Sequence, residues 1–176
     1  MGTNPSRYKG DLRRPVENVS WDDVQNFIRK LNTLISGRVA LPSEAQWENA
    51  CKGGDKRAIY PWPEDLEKGQ ANCGACSQGP PVLKPLPAGR FAPNENGLYD
   101  MGGNVREWCR DSYDKNAYIT HKKNNPVYLE KESKRVVRGG SFSDNLKKLK
   151  CRARDKSIPA SRNDQTGFRL ILQKDD

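Results

Sequence analysis

Apolar residues recur at helical spacing over Trp21, Val24, Phe27 or Ile28, and Leu31, so one face of this stretch packs inward. Ser20 stands in front of it and Asp23 three residues on, a pair able to cap the free backbone N–H groups reciprocally. The pattern predicts a helix from Ser20 to near Asn32, with Gly37 marking the connection that follows. Arg38–Leu41 predicts a short strand. Pro42-Ser43 leads into a second helix, capped by Ser43 with Gln46, that buries Trp47, Ala50 and Cys51 and stops at Gly53-Gly54. From Asp55 to Asn96 no period holds, and prolines and glycines predict loops. Short strands are expected at Arg135–Arg138, along the alternation of Leu149, Cys151 and Ala153 with basic residues, and at Phe168–Leu172. No third regular helix is expected. Two helices followed by short strands and long loops make an α+β plan, without internal repeat or linker.

Composition narrows this plan to one domain. The chain has 176 residues, 34% hydrophobic and 30% charged, and its four Trp, six Tyr and four Phe supply bulky core material. No apolar run is long enough to span a bilayer. The N-terminus lacks the apolar stretch of a signal peptide, so the chain as it stands is expected in the cytoplasm unless a leader has been removed.

The formal charge of +9 concentrates late: Lys147, Lys148, Lys150, Arg152, Arg154 and Lys156 follow Lys131, Lys134 and Arg135. No recognition-helix or stacking pattern accompanies these cations, which argues against nucleic acid. An acidic protein or other macromolecular partner fits better, because a basic surface steers such partners. The five cysteines cannot all pair within the chain. Cys73 and Cys76 form a CxxC, but a zinc site needs about four ligands, no second CxxC exists, and His121 is the only histidine. The motif reads as incidental loop cysteines or a local disulfide.

Six segments follow one another in a familiar order. They are Met1-Gly2-x-Asn4-Pro5-Ser6-x-x-Lys9-Gly10, Pro15-Val16-x-x-Val19-Ser20-Trp21, Leu41-Pro42-Ser43-Glu44-x-x-Trp47-Glu48, Gly97-Leu98-Tyr99-Asp100-Met101-x-Gly103-Asn104-Val105-x-Glu107-Trp108, Arg138-Gly139-Gly140-Ser141-Phe142 and Gly167-Phe168-Arg169. Over nearly its whole length the chain thereby resembles the formylglycine-generating-enzyme, or sulfatase-modifying-factor, family. The resemblance implies a C-type lectin-like fold with two helices, short twisted antiparallel strands and many long loops. Domains of that family normally have a further strand before the segment that begins here at Met1.

The resemblance also sets chemical expectations. The enzyme resembled oxidises a substrate cysteine with copper and oxygen through two cysteines shortly after its Arg-Gly-Gly-Ser segment, and thiolates suit soft Cu(I). Here Ser143–Lys150 contains no cysteine, so no copper is expected. The family position of Cys151 implies a pair with Cys51, as a disulfide or as buried neighbours. A structural calcium ion is implied at Asp100 and Glu107 by side chain, and at Gly103 and Val105 by backbone carbonyl. Calcium takes about six to eight hard oxygens, which a turn with two carboxylates helps to supply. The alternative is that Asp100 caps a turn and Glu107 pairs with an arginine.

Three functions stay open. The first is a non-catalytic binding domain whose loops from Ser143 to Thr166 display Asp144, Asn145, Lys147, Lys148, Lys156, Arg162, Asn163, Asp164 and Gln165. The variable proteins of diversity-generating retroelements share the fold, and the spacing of Arg154, Pro159, Arg162 and Gly167 matches theirs. Adenine mutation of AAC codons does not yield Lys or Gln, so Lys147, Lys148, Lys156 and Gln165 argue against such diversification. The second is a formylglycine-generating oxidase or related oxidoreductase. The third is a regulatory domain of a larger assembly.

Overall fold

The computed structural model describes residues 3–63, 69–76, 79–120, 126–129 and 133–173; Met1, Gly2, His121 and Lys131 lie outside them. In chain order the elements are α1 (Trp21–Leu31), β1 (Arg38–Ala40), α2 (Glu44–Cys51), β2 (Arg106–Ser112), α3 (Ala117–Thr120), β3 (Arg135–Arg138), α4 (Leu146–Leu149), β4 (Asp155–Ser157), β5 (Thr166–Gly167) and β6 (Ile171–Gln173).

Both expected helices form, each closed by its capping box. The Asp23 amide donates to Ser20 Oγ at 3.0 Å and the Ser20 amide to the Asp23 carboxylate at 2.9 Å. Ser43 and Gln46 do the same at the start of α2. Such a cap satisfies two of the N–H groups that a first helical turn leaves without partners.

β2 is the longest strand and the axis of a four-stranded sheet ordered β4-β3-β2-β5. β3 runs antiparallel to β2, β4 antiparallel to β3, and β5 parallel to β2. The parallel pair departs from the all-antiparallel expectation. β1 and β6 form a separate antiparallel pair that ties the chain's C-terminal strand to the connection between α1 and α2.

Two strand predictions need correction. The stretch through Leu149, Cys151 and Ala153 is not a strand. Asn145 caps a helical turn instead, its side chain accepting from the Lys147 amide, and Leu149 and Cys151 are both fully buried from that turn. The alternation reported burial, which a turn satisfies as well as a strand. Nor is Phe168–Leu172 continuous: β5 ends at Gly167 and β6 starts at Ile171, while Phe168 and Leu170 between them pack against the core. Gly167 sits where a Cβ would fall 2.3 Å from the Val16 carbonyl oxygen, so only glycine lets the two backbones approach.

Three apolar clusters hold the layers together. Val19, Val24, Ile28, Leu41, Trp108 and Val137 join α1 to the sheet. Trp47, Met101, Cys109 and Val136 surround the Cys51–Cys151 disulfide, which bridges 100 positions. Ala71 and Leu149 enclose a second disulfide, Cys73–Cys76, so the CxxC is a local bridge.

A buried ionic network crosses the second cluster. Glu44 holds Arg154 through both oxygens at 2.7 Å and lies 3.2 Å from Arg138 Nε. Arg138 also reaches Glu48 and donates to the Cys151 and Ala153 carbonyls. The Glu44 and Arg138 side chains are 1% and 0% exposed. Charges this deep persist only when each has an opposite partner and further hydrogen bonds.

Candidate functional site

Disulfides occupy four of the five thiols, and the fifth, Cys109, is fully buried. Burial lifts the Cys109 thiol well above its ordinary value, so it stays protonated. The chain therefore presents no thiolate at its surface.

The loops after β3 are built from Ser141 outward. Asp144 accepts from the Ser141 amide and hydroxyl, and Arg106 of β2 grips it with two parallel N–H bonds at 3.0 and 2.9 Å. Its side chain is 13% exposed, so Asp144 braces the loop from within. Ser143 lies outside it and donates to Gln165 Oε1 at 2.8 Å, joining this loop to the one before β5.

Of the nine expected display residues, Asp144 and Gln165 thus meet in one network. Asn163 spends its side chain on the Gln165 amide and the Thr166 hydroxyl. Asp164 pairs with Arg7 at 2.7 Å. Arg162 pairs with Asp23 at 2.6 Å, and that guanidinium holds the Asp23 carboxyl well below the usual carboxylate range. Lys148 pairs with Asp155, whose carboxyl is lowered because Lys148 and the Lys156 amide outweigh its burial. Asn145 caps α4 from an exposed position. Lys147 and Lys156 are exposed, with Lys156 Nζ 4.5 Å from the centre of the Tyr113 ring.

Three residues join this surface that the sequence pattern did not single out. Arg7 covers Asp164; Tyr8 meets Phe142 edge-on, with ring centres 6.2 Å apart, and reaches Leu83; Arg106 holds Asp144. The one hint was the Asn4-Pro5-Ser6 segment, where Ser6 and the Tyr8 amide fasten the N-terminal loop to the buried Glu17. Nothing in the spacing of the chain tells that this loop lies beside residues 142 and 164.

Three of the four expected calcium positions line one cleft. Asp100, Val105 and Glu107 line a cleft with Tyr99 and Arg169, and Gly103 sits between them in the chain. A Cβ on Gly103 would fall 2.5 Å from the Asn72 carbonyl oxygen, so glycine alone permits this crossing, at φ +86°. Among the described residues, no loop or side-chain hydrogen bond ends on the Gly103 or Val105 carbonyl. Burial raises the Asp100 carboxyl above its ordinary value, the Gly89 amide opposing it, and the nearby Glu107 adds to the rise. Two carboxylates and two open carbonyls are a hard-oxygen set that suits calcium.

Glu107 is also engaged. It accepts from Trp47 Nε1 at 2.6 Å and from Arg169 through both oxygens at 2.5 and 2.6 Å. Both partners of the alternative reading, the Asp100 turn contact and the Glu107–Arg169 pair, are present. A cation reaching Glu107 has to share it with Arg169.

Residues 1–174 match the family described as the sulfatase-modifying factor enzyme 1-like domain. The formylglycine-generating enzyme of Thermomonospora curvata is 34% identical over 170 residues, 88% of this chain and 54% of that protein. A Bos taurus protein named inactive C-alpha-formylglycine-generating enzyme 2 is 29% identical over 90% of this chain and 50% of its own length. Among solved structures, Treponema denticola variable protein 1 superposes with a TM-score of 0.84 and 25% identity, over 99% of this chain and 79% of that one. The chain spans about half or less of the length of the curated relatives it matches.

Proposed function

The chain belongs to the sulfatase-modifying factor enzyme 1-like family, and we propose that within it this domain is a non-catalytic binding module, displaying a polar, basic loop surface to a protein or other macromolecular ligand. The state of its sulfur carries the reading. Ser143–Lys150, where the resemblance puts the catalytic pair, holds no cysteine, and the remaining thiols are bridged or buried. Soft Cu(I) has no thiolate pair to bind there. Likeness to a relative named inactive and to a variable protein of the same fold supports the reading. Incubation with copper, oxygen and a sulfatase peptide containing a cysteine is expected to leave the peptide's mass unchanged. Conversion of that cysteine to an aldehyde, seen by mass spectrometry, sinks the proposal.

The same reading places a structural calcium ion at Asp100, Gly103, Val105 and Glu107. The ion supplies charge that staples the loop before β2, and takes no part in chemistry. Burial, with the nearby Glu107 adding to it, makes the ionised Asp100 costly, because its folded pKa stands above the unfolded one and stability falls as pH rises between them. Asp100→Asn is therefore expected to melt slightly higher than the parent without calcium. Calcium should raise the parent's melting temperature and leave the variant's unchanged. An equal rise in both removes the site.

A further inference from the structure

A groove of about 240 Å³ runs between the C-terminal half of α1 and β1. Arg29, Arg38 and Arg110 line it together with Gln25 and Gln173, over a floor that includes the buried Ile28. No carboxylate lines it, and none of the three arginines has an acidic partner among the described residues; Arg29 donates only to the amide oxygen of Asn26. Elsewhere Arg106, Arg138, Arg154, Arg162 and Arg169 each hold a carboxylate, while Arg14, Arg90, Arg135 and Arg152 hold none among the described residues and do not line this groove. Three unmatched guanidinium groups around one groove repel one another and attract an anion.

We propose that this groove binds a carboxylate-rich, leucine-bearing segment of a partner protein, at a surface separate from the display loops. Guanidinium groups match carboxylates through paired N–H bonds. The connection from Asn32 to Arg38, two residues that line the groove, carries the exposed Leu34 at 72% and Ile35 at 38%, and the exposed Leu172 at 70% packs against the position of Gly37, next to Arg38. Apolar neighbours give a peptide's leucines a place to bury. No aromatic ring lines the groove, so a nucleic acid has nothing there on which to stack its bases. Arg162 pairs with Asp23 at the first turn of α1, while Arg29 stands in its last turn, so the helix separates this groove from the loop surface.

The test is fluorescence anisotropy with the labelled peptide Glu-Glu-Leu-Glu-Glu-Leu, beside its all-Gln counterpart, inorganic phosphate and a single-stranded oligothymidylate. The Glu peptide is expected to bind and the Gln peptide to fail. Arg38→Gln, at an exposed position, should weaken binding about threefold, and Arg38→Gln with Arg110→Gln about tenfold. Lys147→Ala with Lys156→Ala should leave it unchanged, which separates this groove from the loop surface. No binding by the Glu peptide, binding indifferent to the arginines, or arginine-dependent binding of the oligonucleotide or phosphate in its place overturns the proposal.

Discussion

The charges around Arg138 and those along the loops from Ser141 to Gln165 are the same residue types in different surroundings. Arg138 and Glu44 are shut away from water, with side chains 0% and 1% exposed, whereas Arg162 and Asp23 stand 54% and 26% exposed. Arg106 and Asp144 lie between, at 24% and 13%. Burial sets the consequence of breaking each pair. A buried ion that loses its partner keeps the full desolvation penalty, while an exposed one takes up water. The first set is scaffold held away from water, and the exposed Arg162–Asp23 pair is bathed in it.

The largest effect is expected from Glu44→Gln, which strips Arg154 of its carboxylate and Arg138 of one of two. A loss of about 3–5 kcal/mol is expected in denaturant unfolding; a loss below that of the exposed pairs would erase the contrast. Next stands the covalent brace beside this network, since the Cys151 carbonyl accepts from Arg138. Cys51→Ser with Cys151→Ser is expected to cost about 2–5 kcal/mol, and reduction of the parent should lower its melting temperature likewise.

Asp144→Asn tests the intermediate case. It keeps the shape and weakens the charge-assisted bonds from Arg106, so about 1–2 kcal/mol is expected. The Ser141 amide, which donates to Asp144, should exchange its hydrogen faster. The smallest effect belongs to Arg162→Ala. Asp23 has a folded pKa below its unfolded one, so its contribution is present above the unfolded value and is lost as pH falls through the folded one. Melting curves of parent and variant should differ near neutral pH and converge in acid or in high salt. A gap that persists in acid assigns Arg162 a packing role.

Much of the scaffold was readable in advance because its signals are local. Ser20 with Asp23 and Ser43 with Gln46 are caps whose partners lie three residues apart, and β3 is a run of β-branched residues between arginines. The loop surface was half readable. Lys147 and Lys156 are exposed as their charge suggested, but Asp144 turns inward because Arg106, 38 residues earlier, meets it. Arg7 and Tyr8 reach the same surface from 157 and 156 residues before Asp164. The groove of Arg29, Arg38 and Arg110 gave no local signal at all, since its three cations come from α1, β1 and β2.

By itself the chain determined its two longer helices, α1 and α2, with their caps, its family, and the lack of any cysteine between Ser143 and Lys150. These follow from residue type and near spacing, which act through hydrogen bonds and side-chain periods a few residues long. Tertiary structure alone decided which charges are scaffold and which face solvent, and where unmatched arginines gather. Those outcomes depend on which distant segments exclude water together, and burial, unlike spacing, is a property that no single segment owns.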